Sequence, residues 1–324
     1  MRITFATEAA PGRQNAGTKK TTDTAAVAGT ANITDSTDAL NSTDTPHSTN
    51  ALDNTDILDS ADSDDNEDFF GATPDAFVLL DGAGTPAGAE TGCVHGVGWY
   101  VRSLGSTLLA GMTQDTGTLT EILANGIKAV ASLHHFLCDL THPGSPSATV
   151  IMIRRMAGNL DFLVLSDSVL LLDVVGEKEP TVVCDDRVNR VGRAHRSTMD
   201  GLTHGSAEHL TARRQYVETM WDHRNREGGF WIAAVDPLTA ERSLTGTLPA
   251  DRVRAAALLS DGASRLVDLF ELATWRETLD LLERSGPGEL IRRVREAEDT
   301  DSDGSRWPRT KTHDDATAAY CLFC

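Results

Sequence analysis

The sequence predicts an α+β fold built of layered sheets. Three observations carry this. Short apolar runs bounded by Gly, Pro, Asp or Ser cluster in the middle of the chain, and stretches with helical spacing lie around them. The two kinds do not alternate in the strict β-α-β-α rhythm of a doubly wound parallel sheet. Hydrophobic residues make up 40% of the 324, enough to bury a large core.

The first element is a strand over Arg2–Thr7, where β-branched and aromatic residues alternate with others. Further strands are expected at Ala76–Leu80, Ala148–Arg154, Leu160–Leu165, Val169–Val174, Thr181–Cys184, Gly229–Val235, Ala255–Leu259 and Ala316–Phe323. Helices are expected at Gly92–Met112, Leu119–Leu140, Ala212–Arg226, Ser264–Phe270, Trp275–Ser285 and Gly288–Asp299. The second of these carries Ile122, Leu123, Ile127, Val130, Leu133 and Leu137 at helical spacing. Thr118 before it is an N-cap, and Glu121 three residues on completes a capping box.

Charge is uneven. The chain carries 29 basic and 48 acidic residues, a formal net charge of −19. That argues against nucleic-acid binding by phosphate neutralisation. Residues 1–65 hold four basic and eleven acidic residues, and Thr21–Asp65 has no aromatic residue. Such a stretch cannot bury enough surface to offset its ordering entropy. Residues 1–10 are therefore expected to supply the first strand, 11–65 a disordered, low-complexity acidic insertion, and 66–324 the globular domain. No apolar run approaches the ~18 residues of a spanning helix, and the start lacks a signal-type apolar region, so no membrane partner and a cytoplasmic location are expected. Five scattered cysteines read as reduced thiols.

One pattern recurs: an apolar run that ends in aspartate beside a very small residue. It occurs at Asp81 and Gly82, at Asp167 and Ser168, and at Asp261 and Gly262. It is reversed at Asp314 and Asp315, which open the last strand, and an acidic pair, Glu67 and Asp68, precedes the first of these strands. Taken singly, each is an ordinary turn. Taken together they describe a site for hard divalent cations. Strand ends fix carboxylates rigidly, Mg²⁺ and Mn²⁺ favour oxygen, and clustered carboxylates repel without a cation between them. Two metals about 3.5–4 Å apart can lower the pKa of a shared water and stabilise in-line attack on phosphorus.

The ordered set resembles the metal-dependent protein phosphatase 2C (PPM) family. Asn66, Glu67 and Asp68 lead into a strand ending in Asp81 and Gly82. Ser147, Ala148 and Thr149 open the next, then come Asp167 with Ser168, Ser260 with Asp261 and Gly262, and Asp314 with Asp315 where the family has asparagine. The resemblance implies a four-layer αββα sandwich, two central antiparallel sheets flanked by helices, with two Mn²⁺ or Mg²⁺ ions at one end. It implies that Asp81 bridges both metals, that Gly82 (by its carbonyl) and Glu67 serve one, and that Asp261 and Asp314 serve the other. Asp167 corresponds to the aspartate that holds a third, weaker metal, and Asp68 and Asp315 would orient ligands or water. The implied activity is hydrolysis of phosphoserine or phosphothreonine in a phosphorylated protein substrate by a water bridging the metals. The alternative is a catalytically weak regulatory or binding module.

The match departs from the family at two places. Ala83 stands where members carry a general-acid histidine, and no arginine lies just before Asn66. Arg13, after the first strand, is the candidate for gripping the substrate phosphate. Asp299, Asp301, Asp303 and Gly304 mimic the start of a Ca²⁺ loop but lack a glutamate at the twelfth position, and read as an exposed turn. Cys321 and Cys324 form half a metal motif at a strand end, where packing is the plainer reading. His195, His204 and His209 read as loop histidines or as a replacement proton donor, and His95 as structural. Arg224 and Arg226 either bind substrate or end a helix.

Overall fold

The computed structural model describes residues 1–11, 27–32, 66–83, 85, 89–114, 116–134, 136–199 and 201–323. The strands are β1 (Arg2–Glu8), β2 (Val27–Asn32), β3 (Asp68–Ala72), β4 (Ala76–Gly82), β5 (Ala148–Met156), β6 (Asn159–Leu165), β7 (Val169–Val174), β8 (Thr181–Val183), β9 (Leu244–Pro249), β10 (Val253–Leu259) and β11 (Ala316–Leu322). The helices are α1 (Gly96–Gln114), α2 (Leu119–Ser132), α3 (Arg187–His195), α4 (Ala207–His223), α5 (Asp261–Asp268), α6 (Trp275–Ser285) and α7 (Pro287–Thr300). They form two antiparallel sheets, one ordered β2-β1-β11-β10-β7-β8 and the other β3-β4-β5-β6-β9. The α+β sandwich expected from the sequence is the observed architecture.

Side-chain alternation in the two sheets sorts their packing into three seams. In β4, Phe77 and Leu79 face the other sheet, joined there by Ile151 and Ile153 of β5, Leu170 and Leu172 of β7 and Leu258 of β10. Val78 and Leu80 face outward onto Leu104 and Leu108 of α1 and Leu123 and Ile127 of α2. On the opposite side, Ala255, Ala257 and Leu259 of β10 meet Leu290, Ile291 and Val294 of α7. Central strands buried on both faces must be apolar at every position, which explains the unbroken runs in the sequence. Each fully buried Leu or Phe contributes about 1.5–3 kcal/mol.

The capping box at α2 forms as expected: Thr118 Oγ1 accepts from Glu121 N at 3.2 Å, and Glu121 Oε2 accepts from Thr118 N at 2.8 Å. The helix stops at Ser132, however, eight residues short of the expected Leu140, so Leu133 and Leu137 are exposed rather than buried. Likewise α1 starts at Gly96, not Gly92. The Gly229–Val235 run makes no strand. It touches the sheet only through a bridge from Ala233 to Ala148, while Phe230 bridges back to Arg224. Its residues are apolar because the segment is buried, not because it is paired. Within the stretch expected to be disordered, Val27–Asn32 pairs antiparallel with β1 along six registered positions. The remainder of that stretch lies outside the described residues.

Candidate metal centre

The antiparallel registers bring the acidic residues to one end of the sandwich. Asp68 of β3 lies opposite Asp81 of β4, and Asp81 opposite Thr149 of β5. In the other sheet Leu259, two residues before Asp261, lies opposite Ala318 and Val169, while Glu8 lies opposite Ala316. Asp167 leaves β6, and Asp314 and Asp315 enter β11, at this same end.

Hydrogen bonds cross between the sheets here. The Asp261 N–H donates to Asp81 Oδ2 at 3.1 Å. Asp315 accepts from Ala10 N and from Glu67 N, each at 2.7 Å, so one carboxylate ties β1 to the loop before β3. Two glycines make the approach possible. A Cβ on Gly82 would meet the Glu67 carbonyl at 2.6 Å and Val97 Cγ1 at 2.5 Å. One on Gly262 would meet the Asp315 carbonyl at 1.9 Å.

Burial and mutual repulsion raise the proton affinity of most of this set. Burial lifts Glu67 from 4.5 to about 7, opposed by Lys311 and helped by Asp315 and Asp314. Burial together with Asp261 lifts Asp167 to about 7, and burial together with Asp314 lifts Asp261 to about 6. Asp81 and Asp68 are pushed well above the carboxylate range by burial, with Asp261 and Asp315 respectively adding to it. Both carboxylate oxygens of Asp68 are buried outside ordinary hydrogen-bond distance of any partner, with the Thr317 side chain near enough to offset part of their desolvation. Asp314 behaves oppositely. Burial would raise it, but Lys311 Nζ at 2.5 Å and Arg265 Nη2 at 2.7 Å hold it below the usual range.

Of the residues singled out in the sequence, Glu67, Asp68, Asp81, Gly82, Asp167, Asp261, Asp314 and Asp315 share this neighbourhood. Arg13 lies outside the described residues. The carboxylate oxygens do not gather tightly in threes. Among the described residues the one group whose ligating atoms all fall within 4.8 Å of one another is Cys93, His95, His134 and Cys138. Sequence reasoning missed Lys311 and Arg265, which occupy Asp314, and Arg213 of α4, whose charge reaches Asp314 and Lys311. An isolated cation in a loop or on a short helix carries no periodic signal.

The other candidates resolve structurally. Asp301 is not an exposed turn: it is buried and accepts from Arg306 N, Trp307 N and Arg309 Nη1 at 2.7–3.0 Å, so its oxygens are already used. Arg224 ends α4 and clamps the loop before β5, donating to Ser145 O at 2.8 Å and to Ser147 Oγ at 3.1 Å. His204 stacks on His209 at 4.6 Å and meets Thr312 Oγ1 at 3.2 Å. Cys321 is packed inside β11, and Cys324 lies outside the described residues. No helix among the described residues is long and apolar enough to cross a membrane.

No family model matches the chain, and no curated protein does. Among solved structures it is similar to the serine/threonine phosphatase PstP of Mycobacterium tuberculosis, with 18% identity and a TM-score of 0.46, over 80% of this chain and 93% of that one. It is similar to Stp1 of Staphylococcus aureus, with 14% identity and a TM-score of 0.48, over 80% and 90%. It is also similar to a serine-threonine phosphatase 2C from Toxoplasma gondii, with 10% identity and a TM-score of 0.46, over 80% and 91%. A further structure, the PstP catalytic domain in complex with two manganese ions, is similar at 16% identity and a TM-score of 0.43, over 80% and 91%.

Proposed function

We propose that this protein is a metal-dependent phosphatase of the protein phosphatase 2C (PPM) type that hydrolyses phosphoserine or phosphothreonine in a protein substrate. The observation that carries the reading is the convergence of Asp68, Asp81, Asp167 and Asp261, from different strand ends, in one place where Asp68 is buried, the other three are half-buried, and desolvation and mutual repulsion push each above the ordinary carboxylate range. The buried oxygens of Asp68, eased only in part by Thr317, are costly unless a proton or cation offsets them. The donor set is all oxygen, which fits Mn²⁺ or Mg²⁺.

In this reading Asp81, Glu67, the Gly82 carbonyl, Asp261 and Asp314 would hold two cations, and Asp167 would hold a third. Two such cations would polarise a phosphoester and lower the pKa of a water. The rest is work for the chain. Asp315 fixes Glu67 through its backbone N–H, and Gly82 and Gly262 let the loops close. Arg265, buried against Glu298, sets the direction of Asp314. Lys311 and Arg213 supply positive charge beside Asp314, suited to an incoming phosphate.

A second reading is a weak, phosphatase-like regulatory module. It is favoured by the pairing of Asp314 with two protein cations, and by Ala83 in place of histidine. Hydrolysis of para-nitrophenyl phosphate and of a phosphothreonine peptide, with Mn²⁺ and with chelator, separates the two. The phosphatase reading expects Mn²⁺-dependent turnover lost in Asp81→Asn and Asp261→Asn. Turnover that survives both, or no turnover in wild type, rejects it.

A further inference from the structure

The corner where α1 begins and α2 ends has little apolar packing of its own. Val94, Leu133, Phe136 and Leu137 all stand exposed there. The two segments are nonetheless tightly knotted. Asp139 N donates to Gly92 O at 2.7 Å, and Gly92, at φ +69°, leaves no room for a Cβ, which would meet the Asp139 carbonyl at 2.5 Å. Inside the knot lie Cys93 and His95 from one segment, and His134 and Cys138 from the other.

Their geometry is that of a ligand shell. Cys138 Sγ is 3.5 Å from Cys93 Sγ and 3.3 Å from His95 Nδ1, and Cys93 Sγ is 3.7 Å from His95 Nδ1. Tetrahedral bonds of about 2.3 Å to sulfur and 2.0–2.1 Å to nitrogen place sulfurs about 3.8 Å apart, and sulfur about 3.6 Å from nitrogen. The two sulfur–nitrogen spacings straddle their value, and the sulfur–sulfur spacing falls about 0.3 Å short of its own. An independent observation comes from His134. Its Nδ1 lies 3.1 Å from the Val130 carbonyl, which can only accept, so Nδ1 carries the proton. The lone pair therefore belongs to Nε2, and Nε2 is buried with no hydrogen-bond partner in a side chain only 4% exposed. A histidine with one nitrogen fixed by a carbonyl and the other bare is oriented as a metal ligand is.

The backbone also suits thiolates. Val94 N donates to Cys138 Sγ, and His95 N to Cys93 Sγ, both at 3.4 Å. Trp99 stacks on His95 at 4.3 Å and meets His134 edge-on at 4.9 Å, which holds both rings in place.

We propose that Cys93 Sγ, His95 Nδ1, His134 Nε2 and Cys138 Sγ bind one structural Zn²⁺ ion. Two thiolates and two neutral imidazoles around a divalent cation give a neutral complex, and its formation releases the two thiol protons. Soft sulfur with imidazole in a tetrahedral S₂N₂ set selects zinc over Mn²⁺ or Mg²⁺, so this site is chemically separate from the carboxylates. Four protein ligands leave no open position, so the ion is a staple and not a reaction centre. It pins the start of α1, whose Val97 packs beside Gly82.

The test uses the full chain, purified under reducing conditions and reloaded with Zn²⁺ or Co²⁺ alone. One zinc per chain is expected to persist through gel filtration. Co²⁺ is expected to give the strong visible d–d bands and thiolate charge-transfer of a tetrahedral sulfur site, which an octahedral carboxylate site does not show. Both signals should vanish in Cys93→Ser/Cys138→Ser and survive in Asp81→Asn/Asp261→Asn. A zinc chelator should lower Tm by about 5–10 °C in wild type and leave the cysteine variant unmoved. Wild-type protein that gives no thiolate-cobalt spectrum after full reduction overturns the proposal, whether or not the serine variant folds. So does a Cys93–Cys138 disulfide that forms in preference to metal uptake.

Discussion

Gly262→Ala offers a sharp test of how the acidic end is assembled. The new Cβ would sit 1.9 Å from the Asp315 carbonyl oxygen and 2.9 Å from its carbon. Both are backbone atoms, so no side-chain rotation relieves the clash. Restoring a tolerable ~3.0 Å contact needs a shift of roughly 1.1 Å between α5 and the residues entering β11. Two energies oppose each other. Alanine in a helix gains about 0.8–1 kcal/mol over glycine. Overpacking against an unyielding neighbour costs about 3 kcal/mol, the upper end for such changes. The clash wins by about 2 kcal/mol, or roughly 4–8 °C in Tm. The displacement does not stay local, because the Asp315 carboxylate holds the N–H groups of Ala10 and Glu67. A shift near 1 Å across proposed metal ligands is expected to lower Mn²⁺-dependent kcat/KM by about 10²-fold. Gly288→Ala, at the same second position of helix α7 with nothing within 4 Å of the added atom, is the control and is expected to leave Tm unchanged or raise it by up to about 2–4 °C, the full helix-interior gain. Scanning fluorimetry and phosphatase kinetics on both variants decide it. Gly262→Ala protein that melts as wild type does would refute the packing argument itself, independently of any activity.

Three further outcomes follow from the charges. In metal-free protein Glu67, Asp167 and Asp261 keep protons up to about 7, 7 and 6, which the unfolded chain releases near 4. Their stabilising protonation is complete below about 4 and is lost as pH rises through 6–7, so Tm without metal should fall between pH 5 and 8 and recover on adding Mn²⁺; a Tm that rises over this range contradicts the shifts. Lys311→Met removes a cation bonded to Asp314 and should tighten Mn²⁺ binding about tenfold by calorimetry, while unchanged affinity would place Asp314 outside the ligand set. Arg309→Met strands Asp301 in a pair whose two side chains are each 3% exposed, and should cost about 3–5 kcal/mol in urea denaturation; a cost below about 1 kcal/mol would show the pair to be solvated.

What the sequence disclosed, and what it hid, divides along physical lines. Central strands such as β4, β5 and β10 were legible because burial on both faces demands unbroken apolar runs bounded by turn residues. Of the edge strands, β8 was legible as Thr181–Cys184, but β2 and β9 were not. Half-exposed β9 contains Gly246 and Pro249, and β2 is built from small residues, so neither differs in composition from loop. Burial also misled, since the apolar run at 229–235 is enclosed without being paired. The acidic end was legible because strand-terminal aspartates beside glycine are short patterns that survive without knowledge of topology. Its counter-charges were invisible, because Lys311 and Arg265 become partners of Asp314 only after β10, α5 and the loop before β11 have packed. The cysteine–histidine cluster lies between these cases. Its spacing, one residue between Cys93 and His95 and three between His134 and Cys138, was present in the chain. The helical pattern running past Ser132 concealed it, by assigning the second pair to a helix that would have carried His134 and Cys138 away from the first. The same observation that corrects the helix boundary therefore exposes the site. The early end of α2 and the late start of α1 bring the two pairs together, and a zinc ion bound there would hold the end of one helix against the start of the other.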